Sequence, residues 1–220
     1  MNKVTFSFAD QTLFALASGA LWWPDKCLLC VSDLHLGKSE RLARRGGPTL
    51  PPYDSQDTLT RLAADIARTG AETVICLGDS FDDLDASVAI GAAEKQNIIT
   101  LQAGRRWIWI EGNHDPGPID LGGAHLSEYM LGPLTFRHIA QHGARAEVSG
   151  HFHPKARLRA GNRSITRPAF LVDDTRLILP AYGTYTGGLH SSAPALNGLM
   201  GERALAILTG PQPQIIPMPR

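Results

Sequence analysis

The sequence predicts an α/β protein, and three observations predict it. Apolar runs at 27–31, 73–77 and 107–110 each read as a buried strand. A helical pattern joins the first two, as in a parallel βαβ unit. In the second half short strands follow one another with fewer helices between them, which predicts a second sheet more than a second domain. At 220 residues, one domain over 1–220 is expected.

Taken in order, residues 4–8 alternate apolar and polar. Apolar runs at 13–16 and 20–23, set off by Gly19 and Pro24, predict an antiparallel edge leading into 27–31. Residues 39–45 read as a short basic helix, and Gly46-Gly47-Pro48 with Pro51-Pro52 as an irregular loop near the site. Asp54 or Ser55 is placed to cap a helix whose apolar positions are Leu59, Leu62, Ala63, Ile66 and Ala67, ended by Gly70. Residues 87–102 look helical. Short strands are expected at 134–138, 146–149, 176–179 and 204–208, and the Pro-rich tail after Gly210 as an extended edge segment.

A hydrophobic fraction of 43% and a charged fraction of 19% describe an ordinary globular chain. Lys plus Arg equals Asp plus Glu at 21 each, which excludes a global basic field, so any nucleic acid must be held by local patches. No secretory apolar region follows the first residues and no run reaches membrane-spanning length, so a soluble, cytoplasmic protein without a membrane partner is expected. Three cysteines fit a reducing compartment. Cys27 and Cys30, three apart in a strand, fall on opposite faces, which argues against a redox or zinc role.

The chemistry-bearing residues gather where strands end. Asp33 and His35 stand two apart, a spacing that in extended chain points both to one face. Asp79 follows the second core strand, Asn113 and His114 the third, and His138 the strand at 134–138, while His151 and His153 repeat the two-residue spacing. Imidazole, carboxylate and amide together make a donor set for a metal centre, and open α/β sheets bind ligands beyond the carboxyl ends of their strands. His142 is the alternative to His138, which is preferred because it ends an expected strand while His142 precedes Gly143 in an expected turn. His125 and His190 read as ordinary polar residues, and Asp82, Asp83 and Asp85 as a solvated loop or helix cap. Gly37-Lys38-Ser39 looks like the end of a P-loop, but Ser32 stands where the first glycine is required, which argues against Walker-type nucleotide binding.

Five blocks, Asp33-Leu34-His35, Gly78-Asp79, Gly112-Asn113-His114-Asp115, His138 and Gly150-His151-Phe152-His153, resemble in content and order the calcineurin-like metallophosphoesterases. The resemblance implies a four-layer αββα sandwich of two mixed sheets. It also implies a centre for two divalent transition metal ions, Mn first, with Fe or Zn as alternatives. It makes Asp33, His35, Asp79 and His153 the ligands of one metal, with Asp79 bridging to a second held by Asn113, His138 and His151. The implied chemistry is hydrolysis by a two-metal-activated hydroxide, with His114 as acid and Asp115 as its orienting partner.

Flanking stretches at 31–39, 41–48, 50–54 and 181–188 resemble the ligase-associated DNA damage response endonucleases of bacteria. That resemblance implies a phosphodiesterase that cuts DNA in repair, beside a DNA ligase and a helicase. Lys38, Arg41, Arg44 and Arg45 are candidate substrate-binding cations. So are Lys155, Arg157 and Arg159, which share an acid-free run with Arg163 and Arg167. A solvated hairpin is the alternative for that run. Two other readings stand beside this one. A phosphodiesterase or pyrophosphatase acting on a nucleotide or sugar-nucleotide is one, although the UDP-diacylglucosamine hydrolase branch carries Arg where His114 stands. A catalytically silent metal-binding scaffold, like the retromer subunit of this fold, is the other, and the complete ligand set argues against it.

Overall fold

The computed structural model describes residues 2–117, 120–161 and 163–220. Strands β1 (Lys3–Phe8), β2 (Gln11–Leu16) and β3 (Leu21–Trp23) form the expected antiparallel edge. A 3-10 turn (Pro24–Lys26) leads into β4 (Leu28–Val31), antiparallel to β3. Helices α1 (Lys38–Arg44) and α2 (Asp54–Thr69) precede β5 (Thr73–Leu77), then α3 (Leu84–Ala89), α4 (Ala92–Gln102), β6 (Arg106–Ile110) and β7 (Ala124–Leu126). From β4 to β7 every pairing is parallel, so the seven-stranded sheet runs β1 to β7 in chain order.

The chain then builds a second sheet from β8 (Glu128–Leu131), β9 (Leu134–Arg137), β10 (Glu147–Ser149), β11 (Lys155–Ala160), β12 (Arg163–Val172) and β13 (Arg176–Ile178). After α5 (Pro194–Leu199) it adds β14 (Leu205–Leu208) and β15 (Gln214–Pro217). The order is β15-β14-β12-β13-β10-β9-β8 with β11 hydrogen-bonded to β12, and β10 is parallel to both β9 and β13.

Period-two alternation sorts the core into layers. Leu28 and Cys30, Ile75 and Leu77, and Ile108 and Ile110 face the second sheet, where Phe136, Val148, Phe170, Leu177 and Ile207 meet them. Leu29 and Val31, Val74 and Cys76, and Trp107 and Trp109 face outward, under Leu59, Leu62 and Ile66 of α2 and Ile98 of α4. Ala169, Leu171, Ile178 and Leu208 on the far side of the second sheet are covered by Leu196 of α5 and by Met200. The αββα sandwich is therefore present, with its fourth layer reduced to one short helix. Cys27 and Cys30 do fall in different layers, and the three cysteines are free. Burial pushes the Cys30 and Cys76 thiols up, which makes them inert packing groups.

Two sequence expectations are corrected, and one strand is added. The helix over 87–102 is two, α3 and α4, broken where Ile90 and Gly91 turn extended. Neither Asp54 nor Ser55 caps α2, whose preceding residue, Tyr53, makes no side-chain cap bond. Asp54 instead accepts from the Ser39 main chain and hydroxyl, and the Ser55 hydroxyl accepts from Gly37 N at 2.8 Å, so both pin the start of α1. The long β12 was hidden because its first half is polar and only Ala169, Phe170, Leu171 and Val172 are buried. Gly70 ends α2 in the left-handed conformation as expected. Among the described residues, no helix is long and apolar enough to cross a membrane.

Candidate metal centre

The carboxyl ends of β4, β5, β6, β9 and β10 meet along one edge of the sandwich. Asp33 N donates to Gly78 O at 3.2 Å, His35 N to Asp79 O at 2.9 Å, and Gly150 N to His138 O at 2.9 Å. His151 N donates to Asp33 Oδ2 at 3.0 Å, which ties the second sheet to the first.

Asp33 and His35 do converge, but not because the chain is extended. β4 ends at Val31, and Asp33 and His35 have φ of 53° and 44°; Asp79, His151 and His153 follow at 46°, 68° and 47°. Left-handed backbone at residues bearing a Cβ costs about 1–3 kcal/mol each and persists only where surrounding contacts enforce it. Turned this way, His151 and His153 part and serve different groups.

Asp33, His35 and His153 offer ligand atoms all within 4.8 Å of one another, and so do Asp79, His138 and His151. In the first group His153 Nε2 lies 3.1 Å from Asp33 Oδ1 and 3.4 Å from His35 Nε2. In the second, His138 Nε2 lies 3.3 Å from Asp79 Oδ2 and 3.0 Å from Asn113 Oδ1. His138 Nδ1 donates to Leu77 O at 2.8 Å, which leaves Nε2 as its ligand atom. Lone-pair atoms thus face one another in both groups, an arrangement that a shared cation satisfies. The residues fit divalent transition metals, and their N/O donors suit Mn, Fe or Zn. His142 is exposed and outside these groups.

The carboxylates are held ionised for that task. Burial alone would raise Asp33, but His153, His138 and Ser32 outweigh it and the carboxyl lies below its ordinary range. Asp79 is also lowered well below its ordinary range, with His138 and the His114 amide prevailing over burial. For His138 burial favours the neutral ring, yet Asp79 and Asp33 push its pKa up to about 8.

That shift has a checkable sign. Because the folded value lies above the ordinary 6.5, pairing of charged His138 stabilises the metal-free protein fully below about 6.5, and this is lost as pH rises through about 8. A cation needs the neutral ring, so below pH 8 it must displace a proton. Calorimetric Mn²⁺ titration between pH 8.5 and 6.5 is expected to show affinity falling with pH, by up to about tenfold per unit. An affinity flat across that window would remove His138 from the ligand set.

A third group, His35, Asp82 and His114, adjoins the first, and the sequence reading missed it. Asp82, expected in a solvated loop or cap, is fully buried. Its Oδ1 lies 2.8 Å from His35 Nδ1 and 3.6 Å from Lys38 Nζ, and its Oδ2 takes Arg41 Nε. Burial would raise this carboxyl, but His35, Lys38 and Arg41 hold it at about 2. Its carbonyl oxygen accepts from His114 Nδ1 at 2.8 Å, so one residue orients two imidazoles. Asp82→Asn is expected to weaken metal affinity about 10–100-fold, as loss of a partner behind a ligating histidine does. A metal titration superimposing on that of the parent protein would reduce Asp82 to an ordinary ion pair.

Asp115 does not orient His114. Its Oδ2 accepts from Ser80 N at 2.8 Å and Phe81 N at 3.1 Å, and its Oδ1 from Gly112 N at 3.1 Å, so it braces the two loops instead. Burial raises its carboxyl to about 6, with Asp79 adding to the effect. The cations of α1 also differ from expectation. Lys38 and Arg41 converge on Asp82, Arg44 on Glu40, Asp83 and Asp85, and Arg45 on Asp83, so each is paired with an acid. Asp83 caps α3 by accepting from Ala86 N, a role the sequence reading allowed.

A double sheet with two histidine and carboxylate groups at its strand ends has the donor sets of a metal-dependent enzyme. The sequence matches the calcineurin-like phosphoesterase family over residues 28–156, which contain every candidate ligand, and the chain belongs to that family. The Pseudomonas putida nuclease MPE is 29% identical to it, with 97% of this chain and 100% of the other covered and a TM-score of 0.75. Yfce, a phosphoesterase from E. coli, is 13% identical, with 87% of this chain and 99% of its own covered and a TM-score of 0.42. No curated protein sequence matches the chain significantly.

Proposed function

We propose that residues 1–220 form a single metallophosphoesterase domain that hydrolyses phosphodiester bonds in DNA, in bacterial cytoplasm and in repair, beside a DNA ligase and a helicase. Asp33, His35, Asp79 and His153 would hold one divalent cation and Asp79, shared with it, together with Asn113, His138 and His151 a second, with Mn first among the candidates. The observation that carries this reading is the pair of ligand-atom groups gathered at one edge by strand ends of both sheets. DNA as substrate is supported by the likeness, over almost the whole chain, to a protein described as a nuclease.

When bound, such cations activate water, hold phosphate oxygens and neutralise charge that builds in an in-line displacement. The chain supplies the rest. His114 is fixed at Nδ1 by the Asp82 carbonyl, and its side chain is 36% exposed, with Nε2 4.0 Å from Asp79 Oδ2. From there a protonated Nε2 would hand its proton to the leaving oxygen.

A metal-replete comparison of a phosphomonoester, an aryl phosphodiester, single-stranded DNA and duplex DNA tests the reading. Turnover of both diester classes is expected, and activity confined to monoesters would remove it. His114→Ala should cost about 10²–10⁴-fold on DNA and less on the aryl ester, whose phenolate leaves without a proton. Equal losses on both would deny His114 the role of acid.

A further inference from the structure

β11 begins two residues after His153 and runs outward along the second sheet. Its register sets Lys155 opposite Pro168, Arg157 opposite Thr166 and Arg159 opposite Ser164. Ala156 and Leu158 alternate with them and pack into the core beneath. Lys155, Arg157 and Arg159 therefore line one face at a spacing of about 6.8 Å. Arg167 pairs with Ala156 on the other face and donates from Nη1 to Thr209 O at 3.2 Å; Arg163, four positions earlier, shares that face. The five cations that share one acid-free run of the sequence are thus divided three against two.

The segment around Ser191 borders the same strand, with Lys155 N donating to Leu189 O and Ser191 N to Lys155 O, each at 2.8 Å. Ser191 Oγ donates to Pro219 O at 2.7 Å and brings in the final segment. Between them lies a pocket of about 690 Å³ lined by Arg157, Arg159, His190, Ser191, Ser192 and Arg220. No side chain lining it is acidic. Arg157 and Arg159 form no ion pair among the described residues, in contrast to the cations of α1. Guanidiniums held by no carboxylate keep their forked donors free, and these match phosphate oxygens.

We propose that this pocket is a distal phosphate site for a nucleic-acid strand, with Arg157 and Arg159 as its donors and Lys155 as the cation between it and the metal centre. The proposal rests on the DNA phosphodiesterase reading and adds where the strand runs. From Lys155 to Arg159 the strand spans about 14 Å. That corresponds to about four backbone charges at the 3.4 Å per-strand spacing of duplex DNA, and to fewer in an extended single strand. Substrates with fewer nucleotides beyond the cut do not reach the pocket.

The test is kcat/KM on single-stranded oligonucleotides of about two to about twelve nucleotides, with binding measured against salt. In the unmodified protein kcat/KM rises with length until the strand reaches the pocket. In Arg157→Ala/Arg159→Ala the ratio of long to short is expected to fall about tenfold or more, and the slope of log K against log salt to shrink by about 0.7 for each phosphate no longer neutralised. Arg163→Ala, on the other face, should keep the parent's ratio. A double variant with unchanged ratio and slope overturns the distal site alone. An unmodified protein that hydrolyses an aryl diester but no oligonucleotide overturns the DNA reading and the site with it.

Discussion

Asp79→Asn is expected to lower kcat/KM for an aryl phosphodiester by about 10³-fold or more, on the scale of removing a preorganised charge-stabilising group. The substitution keeps the size of the side chain and an oxygen to accept from His114 N, a bond of 2.9 Å in the parent. It removes the negative charge that His138 and His114 hold in the ionised form. Charge, not shape, is therefore tested. Metal content after dialysis against Mn²⁺ should fall together with activity, while circular dichroism should retain the parent's spectrum. Robust turnover by a metal-replete Asp79 variant would overturn the two-metal assignment.

The parts of this fold that were legible in the sequence are those where local pattern and burial agree. The runs at 28–31, 73–77 and 107–110 are buried on both faces, so they read as continuous apolar strands, and the polar groups beyond them had to lie at strand ends. What local pattern does not encode is backbone of unusual hand and acids used as buttresses. The spacing of Asp33 and His35 suggested extended chain, yet both are left-handed, and their main chains are bonded to Gly78 and Asp79, just past the end of β5. Asp54 and Ser55 have the chemistry of helix caps, but the start of α1 uses them. Asp82 sat in an acidic run that reads as solvent-facing, and only the fold brings Lys38, Arg41 and two imidazoles to it. The same acids draw in the α1 arginines, so charge counted along the chain overstated the free positive surface there and, in β11, understated how it is ordered.

The motif glycines lead to the second large effect. A Cβ built on Gly112 would meet the Asp79 and Asp115 carboxylates, and one on Gly78 would lie 2.5 Å from the His138 ring. On Gly150 it would overlap the Ser32 hydroxyl and stand 2.6 Å from Asp33 Oδ2. Gly150 has no left-handed φ, so its requirement is space and not conformational freedom. The neighbours it would strike cannot yield at little cost: Ser32 and Asp33 are fully buried, Ser32 donates to Asp33, and Asp33 also takes His151 N. Gly150→Ala must therefore displace Asp33 or part the two sheets where they meet, and a 1 Å misplacement at a reacting centre costs about 10²-fold. Expected are a loss of that order or more in kcat/KM, weaker Mn²⁺ binding, and a lower thermal midpoint. Gly187→Ala supplies the contrast, since a Cβ there meets open space, and its stability should stay within about 0.5 kcal/mol of the parent. If Gly150→Ala bound metal and turned over substrate like Gly187→Ala, Asp33 would not be held where its role as a ligand requires, and the first metal group would have to be drawn without it.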